Sequence, residues 1–583
     1  MLEEIPEQSE LRQSWNELAL TMECPEVFYT FEWAMAIQRT YRASLAPLVI
    51  AAYEGESLIG LVALATRIGN GDVVFLTADT ADYCDFLSRV DRRQELVEAV
   101  LSELKKRKIR RLALANLPAD SPSVDALTRA GAKCGYHLYS VPAYFCARVV
   151  LGSIEERAQV KQTVTSKKRL RRNIRELEKR GTVRIQHDAE WEKISPALQV
   201  FERAHIARFL ETGRISNLVR TERRAFLNEL ARELSSAGWI TLSRLFVGST
   251  IAAWNYGFRY AGTWFWYQPT VNSKYGDFSP GYCLLARIIA LAADSSEINT
   301  VDLGLGEEEY KHRFATANRP TLYCRLNQSS ADHARAIVRH QAGAVAKASP
   351  RIESSIRAAI SHLAGLKTRL RSEGFWRLTK WFVRRTADWL FGFDNVAFFE
   401  WPEVSHASVG STTIRQLDSD LVGAAAIQYA DDAATLRYLM RSAQRLQSDN
   451  VEGFALVTGD EIPVHICWAK DFEGFEMAEL DRRLHAPCQN AVMIFDCFTP
   501  PGARGHGFFA EAITSVGHQL RSRDKSPWIF AAATNQASMR GIEKTAFIYK
   551  FSLGRKRFLF FSRIKDTIPA YASKEITLSA PAQ

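Results

Sequence analysis

VMIFDCFTPPGARGHGFFAEAITSVGHQL, residues 492–520, is the stretch whose reading decides the fold. Val492–Phe498 is an almost unbroken apolar run, the pattern of a strand buried on both faces. Thr499–Gly507 is a turn carrying Pro500, Pro501, Gly502, Gly505 and Gly507. Phe508, Phe509, Ala512, Ile513, Val516 and Leu520 then recur at helical spacing, which predicts a helix. A strand, a glycine loop and a helix N-terminus together make an anion site, because first-turn N–H groups lack intrahelical partners and the macrodipole is positive there. With no Cβ at 505 and 507, a pyrophosphate can approach the backbone. Such a loop is equally a tight structural connection, so its neighbours must decide.

Downstream, Trp528–Ala533 reads as the next strand, and Asn535-x-x-Ser538 opens a short helix ending near Lys544. Arg504-Gly505-His506-Gly507 after a buried strand resembles the acyl-CoA pyrophosphate loop of the GNAT acyltransferase superfamily, whose pattern is Arg/Gln-x-x-Gly-x-Gly/Ala. The first position of that pattern falls on Gly502, a departure. NQASMRGIEKTAF, residues 535–547, resembles the Asn-x-x-Ala…Tyr-x-x-x-Gly-Phe segment of the same superfamily. Here Ile542 stands where many members carry the Tyr that protonates the departing thiolate, and Ala546 replaces Gly. The resemblance implies acetyl-CoA or another acyl-CoA as co-substrate. It implies Phe498, Arg504, Gly505, His506, Gly507, Phe508, Asn535 and Ser538 as its binding residues.

At 583 residues the chain has room for three or four domains of ~150 residues. An apolar content of 47% excludes global disorder. The N-terminus MLEEIPEQSELRQ is acidic and polar, unlike a secretory signal, and no apolar run reaches the ~18 residues of a membrane span. Nine cysteines are scattered without a Cys-x-x-Cys pair, which fits buried thiols in a reducing cytoplasm. No His/Cys group has zinc spacing, so no metal is expected. A net charge of +10 points to anionic partners: CoA phosphates, a membrane face or nucleic acid.

One hairpin pattern occurs three times: AYEGESLIGLVAL (52–64), LFVGSTIAAWNYGF (245–258) and ALVTGDEIPVHICW (455–468). Each is followed by strand, helix and strand, which suggests three copies of one fold. Phe28–Ala43 reads as an aromatic amphipathic helix, Gln94–Lys106 as a helix and Ile109–Ala115 as a strand. Trp239–Phe246, Ile251–Phe258 and Ala261–Tyr267 read as strands, and Ser279-Pro280-Gly281 opens a helix, Pro suiting its first turn. The expected fold class is α/β with a mixed sheet: three GNAT-like folds joined by a helical linker. The boundaries are 1–150, a degenerate half without a Gly-x-Gly loop; 151–327; a linker at 328–399; and 400–583.

KRLRRNIRELEKRG (168–181), Ser279-Pro280-Gly281 and VDLGLGEEEYKHRF (301–314), with Phe28–Trp33 and Asp82–Phe86, resemble in order the acetyltransferase-like domain of the CelD/BcsL group. That resemblance covers roughly 20–325. It implies paired GNAT folds, as in Fem-type aminoacyltransferases, and by the group's name a link to cellulose and exopolysaccharide biosynthesis. The basic helix at 167–179 is either a nucleic-acid arm or a solvated face packed through Leu170, Ile174 and Leu177; the packed face is preferred. Phe375–Phe393, rich in Trp and flanked by Lys/Arg, is either a linker helix with arginine stems over its aromatics or an element that visits an anionic membrane face.

Acyl transfer to an amine needs backbone donors for the oxyanion, a base or water chain to free the amine, and a way out for the thiolate. In the C-terminal copy the polar candidates are Asp496 and Glu479. In the middle copy they are Asp302, Tyr310 and Lys311, with Ser279 and Gly281 near the donor. Trp264, Trp266 and Tyr267 are either an acceptor groove or core. Cys497 is a further nucleophile, with no histidine partner nameable from sequence. The expected protein is a cytoplasmic acyl-CoA-dependent N-acyltransferase acting on an amine or sugar-linked precursor of a surface polymer, with contact to the inner membrane or a polysaccharide synthase. The alternatives are Fem-like transfer from a charged tRNA, with the basic charge on RNA, and a non-catalytic subunit docked on a membrane synthase.

Overall fold

The computed structural model describes residues 1–7, 9–306, 308–347, 393–402, 413–558 and 561–566. They fall into two compact units, Met1–His205 with Arg220–Ala348 and Ile206–Val219 with Ser349–Gln583.

The first unit is built on one twelve-stranded mixed sheet. An antiparallel hairpin, Leu45–Glu54 with Ser57–Arg67, is joined antiparallel by Val73–Phe75. Helix Arg93–Lys106 crosses over, and Arg111–Pro118 returns parallel to Val73–Phe75. The same order recurs further along. Ile240–Val247 and Thr250–Tyr260 form the hairpin, Thr263–Val271 adds antiparallel, helix Pro280–Asp294 crosses, and Thr300–Leu305 returns parallel. The second unit repeats it in an eight-stranded sheet. There the hairpin is Glu452–Val457 with Pro463–Asp471, then Ala491–Phe498, helix Phe508–Arg521 and Ser526–Ala532. The mixed α/β class expected from sequence is the one found, and the three glycine hairpins open three runs of one topology.

In each run the two parallel strands pair briefly and then part. The pairing is Val73↔Leu112 in the first, Thr263↔Thr300 to Phe265↔Asp302 in the second, and Ala491↔Ser526 to Ile494↔Ile529 in the third. The parting strands leave a V at the end of the sheet where the crossing helix begins.

The first unit is not cut at residue 150. His137–Val150 pairs with Ala317–Asn327 from His137↔Asn327 to Arg148↔Ala317. Ala317–Asn327 also pairs with Arg111–Pro118, and His137–Val150 also pairs with Thr300–Leu305. Each half therefore completes its sheet with a strand of the other, and the halves 1–150 and 151–327 lie in one unit. Phe393–Glu400, placed by sequence inside the 328–399 linker, is a central strand of the second sheet between Ser526–Ala532 and Ile548–Phe558. Of that linker the helix Ser330–Lys347 is described. The candidate membrane-facing stretch Phe375–Phe393 lies, Phe393 apart, outside the described residues.

Packing decides several ambiguities of the sequence. Trp264 and Trp266 are 2% exposed and pack with Cys283, Leu284, Ile288 and Ile289 of helix Pro280–Asp294, so they are core and not a groove. In helix Lys168–Glu178, Leu170 and Leu177 are buried and Ile174 packs on the same cluster. Arg169, Arg171, Arg172 and Arg175 of that helix are exposed. The helix expected over 28–43 is Phe31–Thr40, and Phe31–Gln38 is buried all round instead of amphipathic. Among the described residues no helix is long and apolar enough to cross a membrane.

Candidate active site

The second unit's cleft begins with a fault in pairing. Trp468 pairs with Phe495 and Ile466 with Phe498, so Cys467 alone faces both Asp496 and Cys497. Asp496 takes the left-handed conformation, φ 46°, the local kink that a bulge requires. Past Ile494 the strand leaves its parallel neighbour. Cys497, Phe498 and Thr499 then line a cleft of about 470 Å³ with Arg504, Gly505, Gly507, Phe508, Ser538, Arg540 and Lys544.

The loop is shaped by its own residues. Pro501–Ala503 is a tight 3-10 turn, and Arg504 Nε donates to the Thr499 carbonyl at 3.1 Å. Gly505 and Gly507 have φ of 88° and 83°, angles that a side chain would strain. A Cβ at either position, or at Gly502, would meet no heavy atom within 4 Å. The bare positions thus serve the backbone angle and leave the N-terminus of helix Phe508–Arg521 open, with no side-chain cap. His506 stacks on Phe508, ring centroids 5.6 Å apart. Across the cleft, Asn535 Oδ1 accepts from the Ser538 N–H at 3.2 Å and caps helix Gln536–Glu543. Gly541 lets that helix close on Phe509, which a Cβ would meet at 2.3 Å. Arg504, Arg540 and Lys544 line the cleft, and among the described residues no acid does. A helix N-terminus and three cations in the lining suit a polyanion; Glu511 in the helix's first turn and Asp432 near Arg504 lie outside that lining.

The expected polar residues fall differently. Asp496 is exposed, and its Oδ2 accepts from Arg445 Nη1 at 2.6 Å. Its carbonyl accepts from Tyr438 OH at 2.8 Å, and the Tyr438 ring stacks on Phe498 at 4.1 Å. Asp496 thus braces the bulge, and the structure does not place it among the cleft-lining residues. Glu479 is exposed in the turn between Phe475–Met477 and Arg482–Leu484, also off the cleft. Ile542 is fully buried in the core, so the position offers no acid.

What sequence missed is His465. The donor atoms of His465, Cys467 and Cys497 all lie within 4.8 Å of one another, so Cys497 does have a histidine neighbour. The signal was there in part: His465 and Cys467 are two apart on one strand and share a face. Cys497 joins them only through the bulge. His465 Nδ1 lies 2.8 Å from Thr499 Oγ1. The Cys467 thiol is drawn down to about 6, chiefly by the hydrogen bond with Cys497 and then by His465, against its burial. The same contact, with burial, holds Cys497 well up.

In the first unit the corresponding helix start also lacks a side-chain cap, but its residues are engaged differently. Ser279 has φ 47° and precedes Pro280. A Cβ on Gly281 would meet Val271 Cγ1 at 2.9 Å, so this glycine serves packing of helix on strand rather than approach of a donor. Ser279 Oγ accepts from Arg169 Nη2 at 3.3 Å. Asp302 is 0% exposed. Its Oδ2 accepts from Tyr83 OH and Arg148 Nε, both at 2.8 Å, and its Oδ1 from the Gly304 N–H at 2.8 Å. Arg148 Nη2 also donates to Glu26 Oε1, at 2.9 Å, which receives Arg319 Nη1 at 2.6 Å. Asp302 is therefore the centre of a buried network tying the shared strands together, with no free face toward an acceptor. Tyr310 OH accepts from Trp266 Nε1 at 3.2 Å, and burial pushes it up to about 12. Lys311 is buried and donates to the Leu305 carbonyl at 2.5 Å.

Residues 165–312 match the family model of the acetyltransferase (GNAT) domain. These residues carry a GNAT-type acyltransferase domain. The match includes Ser279, Asp302 and Tyr310 but not the Arg504–Gly507 loop. No protein of curated function matches. Among solved structures, FemX is 10% identical and covers 54% of this chain and 95% of its own, with a TM-score of 0.38. The L-PGS of Bacillus licheniformis is 10% identical, covering 52% and 94%, with a TM-score of 0.35. A tandem GNAT protein of the clavulanic acid biosynthesis pathway is 13% identical, covering 55% and 95%, with a TM-score of 0.32.

Proposed function

We propose that the second unit's cleft binds an acyl-CoA, acetyl-CoA being the simplest, and that the protein transfers the acyl group to an amine. The observation that carries this is the open helix N-terminus at Gly507, flanked by Arg504, Arg540 and Lys544 with no acid in the cleft lining. Pyrophosphate would sit on the N–H groups of residues 504–508. The parted strand 495–498 would offer N–H groups to the thioester oxygen. The buried Ile542 leaves the departing thiolate to be protonated by solvent or by the acceptor amine. An acceptor in cell-envelope or exopolysaccharide synthesis, amine or sugar-linked, rests on the CelD/BcsL resemblance of 20–325 alone. Calorimetric titration with acetyl-CoA tests the cleft: saturable binding in the wild type and loss in the Gly505→Val, Gly507→Val double variant are expected. Equal affinity in a folded double variant would sink the reading.

One observation favours a second donor for the first unit. The exposed Arg169, Arg171, Arg172 and Arg175 lie on a helix whose Arg169 reaches Ser279, beside the start of helix Pro280–Asp294. A basic face at that point suits a large polyanion such as a charged tRNA. Titration with aminoacyl-tRNA, repeated after changing these four arginines to Gln, separates this donor from acyl-CoA.

A further inference from the structure

We propose that His465, Cys467 and Cys497 form a binding site for a thiophilic metal ion, Zn²⁺ being the representative, at the floor of the second unit's cleft. The three donor atoms lie within 4.8 Å of one another, near enough to share one ion. The ligand set of two thiols and one imidazole is the chemistry that Zn²⁺ prefers. His465 and Cys467 are 0% exposed and ride on the central strand Pro463–Asp471, held on both sides by neighbouring strands. Cys497 is delivered by the bulge, which turns two residues of its strand against Cys467.

A second observation points to a ligand on the ring. Thr499 Oγ1 engages His465 Nδ1 at 2.8 Å, while Nε2 is buried with no hydrogen-bond partner. Metal-bound histidines are oriented by an acceptor on the other ring nitrogen, a place the Thr499 hydroxyl can take. Both Cys497 and Thr499 line the cleft. A bound ion would therefore keep its fourth position toward the cleft, open to water or to an oxygen of a ligand there, as sites with three protein ligands do. Nothing in this site depends on the identity of the acyl donor.

The test is spectroscopic and uses the full chain, reduced and freed of metal. Titration with Co²⁺ should give the intense thiolate-to-cobalt band and the visible bands of a tetrahedral site, saturating at one ion per chain. Zn²⁺ should displace it. Cys467→Ser and Cys497→Ser should each weaken uptake at least tenfold with unchanged circular dichroism, and Cys488→Ser, at an exposed thiol, should leave it unchanged. His465→Gln should do the same as the two ligand cysteines. A reduced wild type that shows no thiolate-to-cobalt band overturns the proposal, and so does full uptake by Cys497→Ser. Wild-type uptake without acetyl-CoA binding would leave the metal site standing and remove the acyl-CoA reading.

Discussion

Two helix starts occupy the same place in the same topology and differ in what their glycines do. At Pro280–Asp294 the glycine, Gly281, faces Val271 and is needed so that helix and strand can touch. At Phe508–Arg521 the glycines, Gly505 and Gly507, face open space and carry left-handed backbone angles. The first start is beset by side chains: Ser279 holds Arg169, and Asp302 on the neighbouring strand is locked in a buried ion-pair network. The second is bare and cationic. One topology can thus put the glycine of its helix start to packing or to backbone freedom beside a cleft, and the difference rests on a few residues at the strand ends.

The comparison can be broken most directly at Asp302. Asp302→Ala strips a buried partner from Arg148 and Tyr83 and should destabilise the first unit by about 3–5 kcal/mol. Denaturant unfolding read from that unit measures it; a loss of activity with unchanged stability would instead make Asp302 catalytic. Gly281→Val comes next. It must push Val271 aside, and overpacking of this kind costs about 1–3 kcal/mol, seen as a lower melting temperature.

Gly505→Val with Gly507→Val should act on the ligand. Left-handed valines carry backbone strain of about 1–2 kcal/mol each, and CoA affinity should fall more than tenfold, ~1.4 kcal/mol. If Gly281→Val lowers CoA affinity as much, the assignment of the two starts is reversed.

A further effect is a pH slope. Burial, then the neighbouring Asp302 carboxylate, raises Asp82 to about 7. A carboxyl raised in the fold contributes fully below its unfolded value and loses that contribution as pH rises toward the folded one. The first unit should therefore lose stability between about pH 4 and pH 7 on this account, and Asp82→Asn should flatten the decline in melts across that range.

Much of this was legible in the chain. Residues 492–520 announce strand, loop and helix, and the structure has them at Ala491–Phe498 and Phe508–Arg521. Three glycine hairpins announce a repeated topology. These are local signals, carried by periodicity within a few turns or pleats. Among the strands that escaped notice are three joined at long range: His137–Val150, Ala317–Asn327 and Phe393–Glu400. The first two carry Pro142 and Pro320, residues that argue against a central strand. The structure accommodates Pro142 beside a register shift, with Tyr144 paired to Thr321 and Pro142 to Leu322.

By itself the sequence determined the class of fold and the glycine loop with Arg504, because backbone freedom and apolar period are written residue by residue. Only the tertiary structure decided that residues 1–327 share one sheet, that Asp302 is sealed and Asp496 braced, and that His465, Cys467 and Cys497 meet. Those outcomes depend on which strand lies beside which, and on one bulged residue that turns Cys497 toward a histidine 32 positions earlier in the chain.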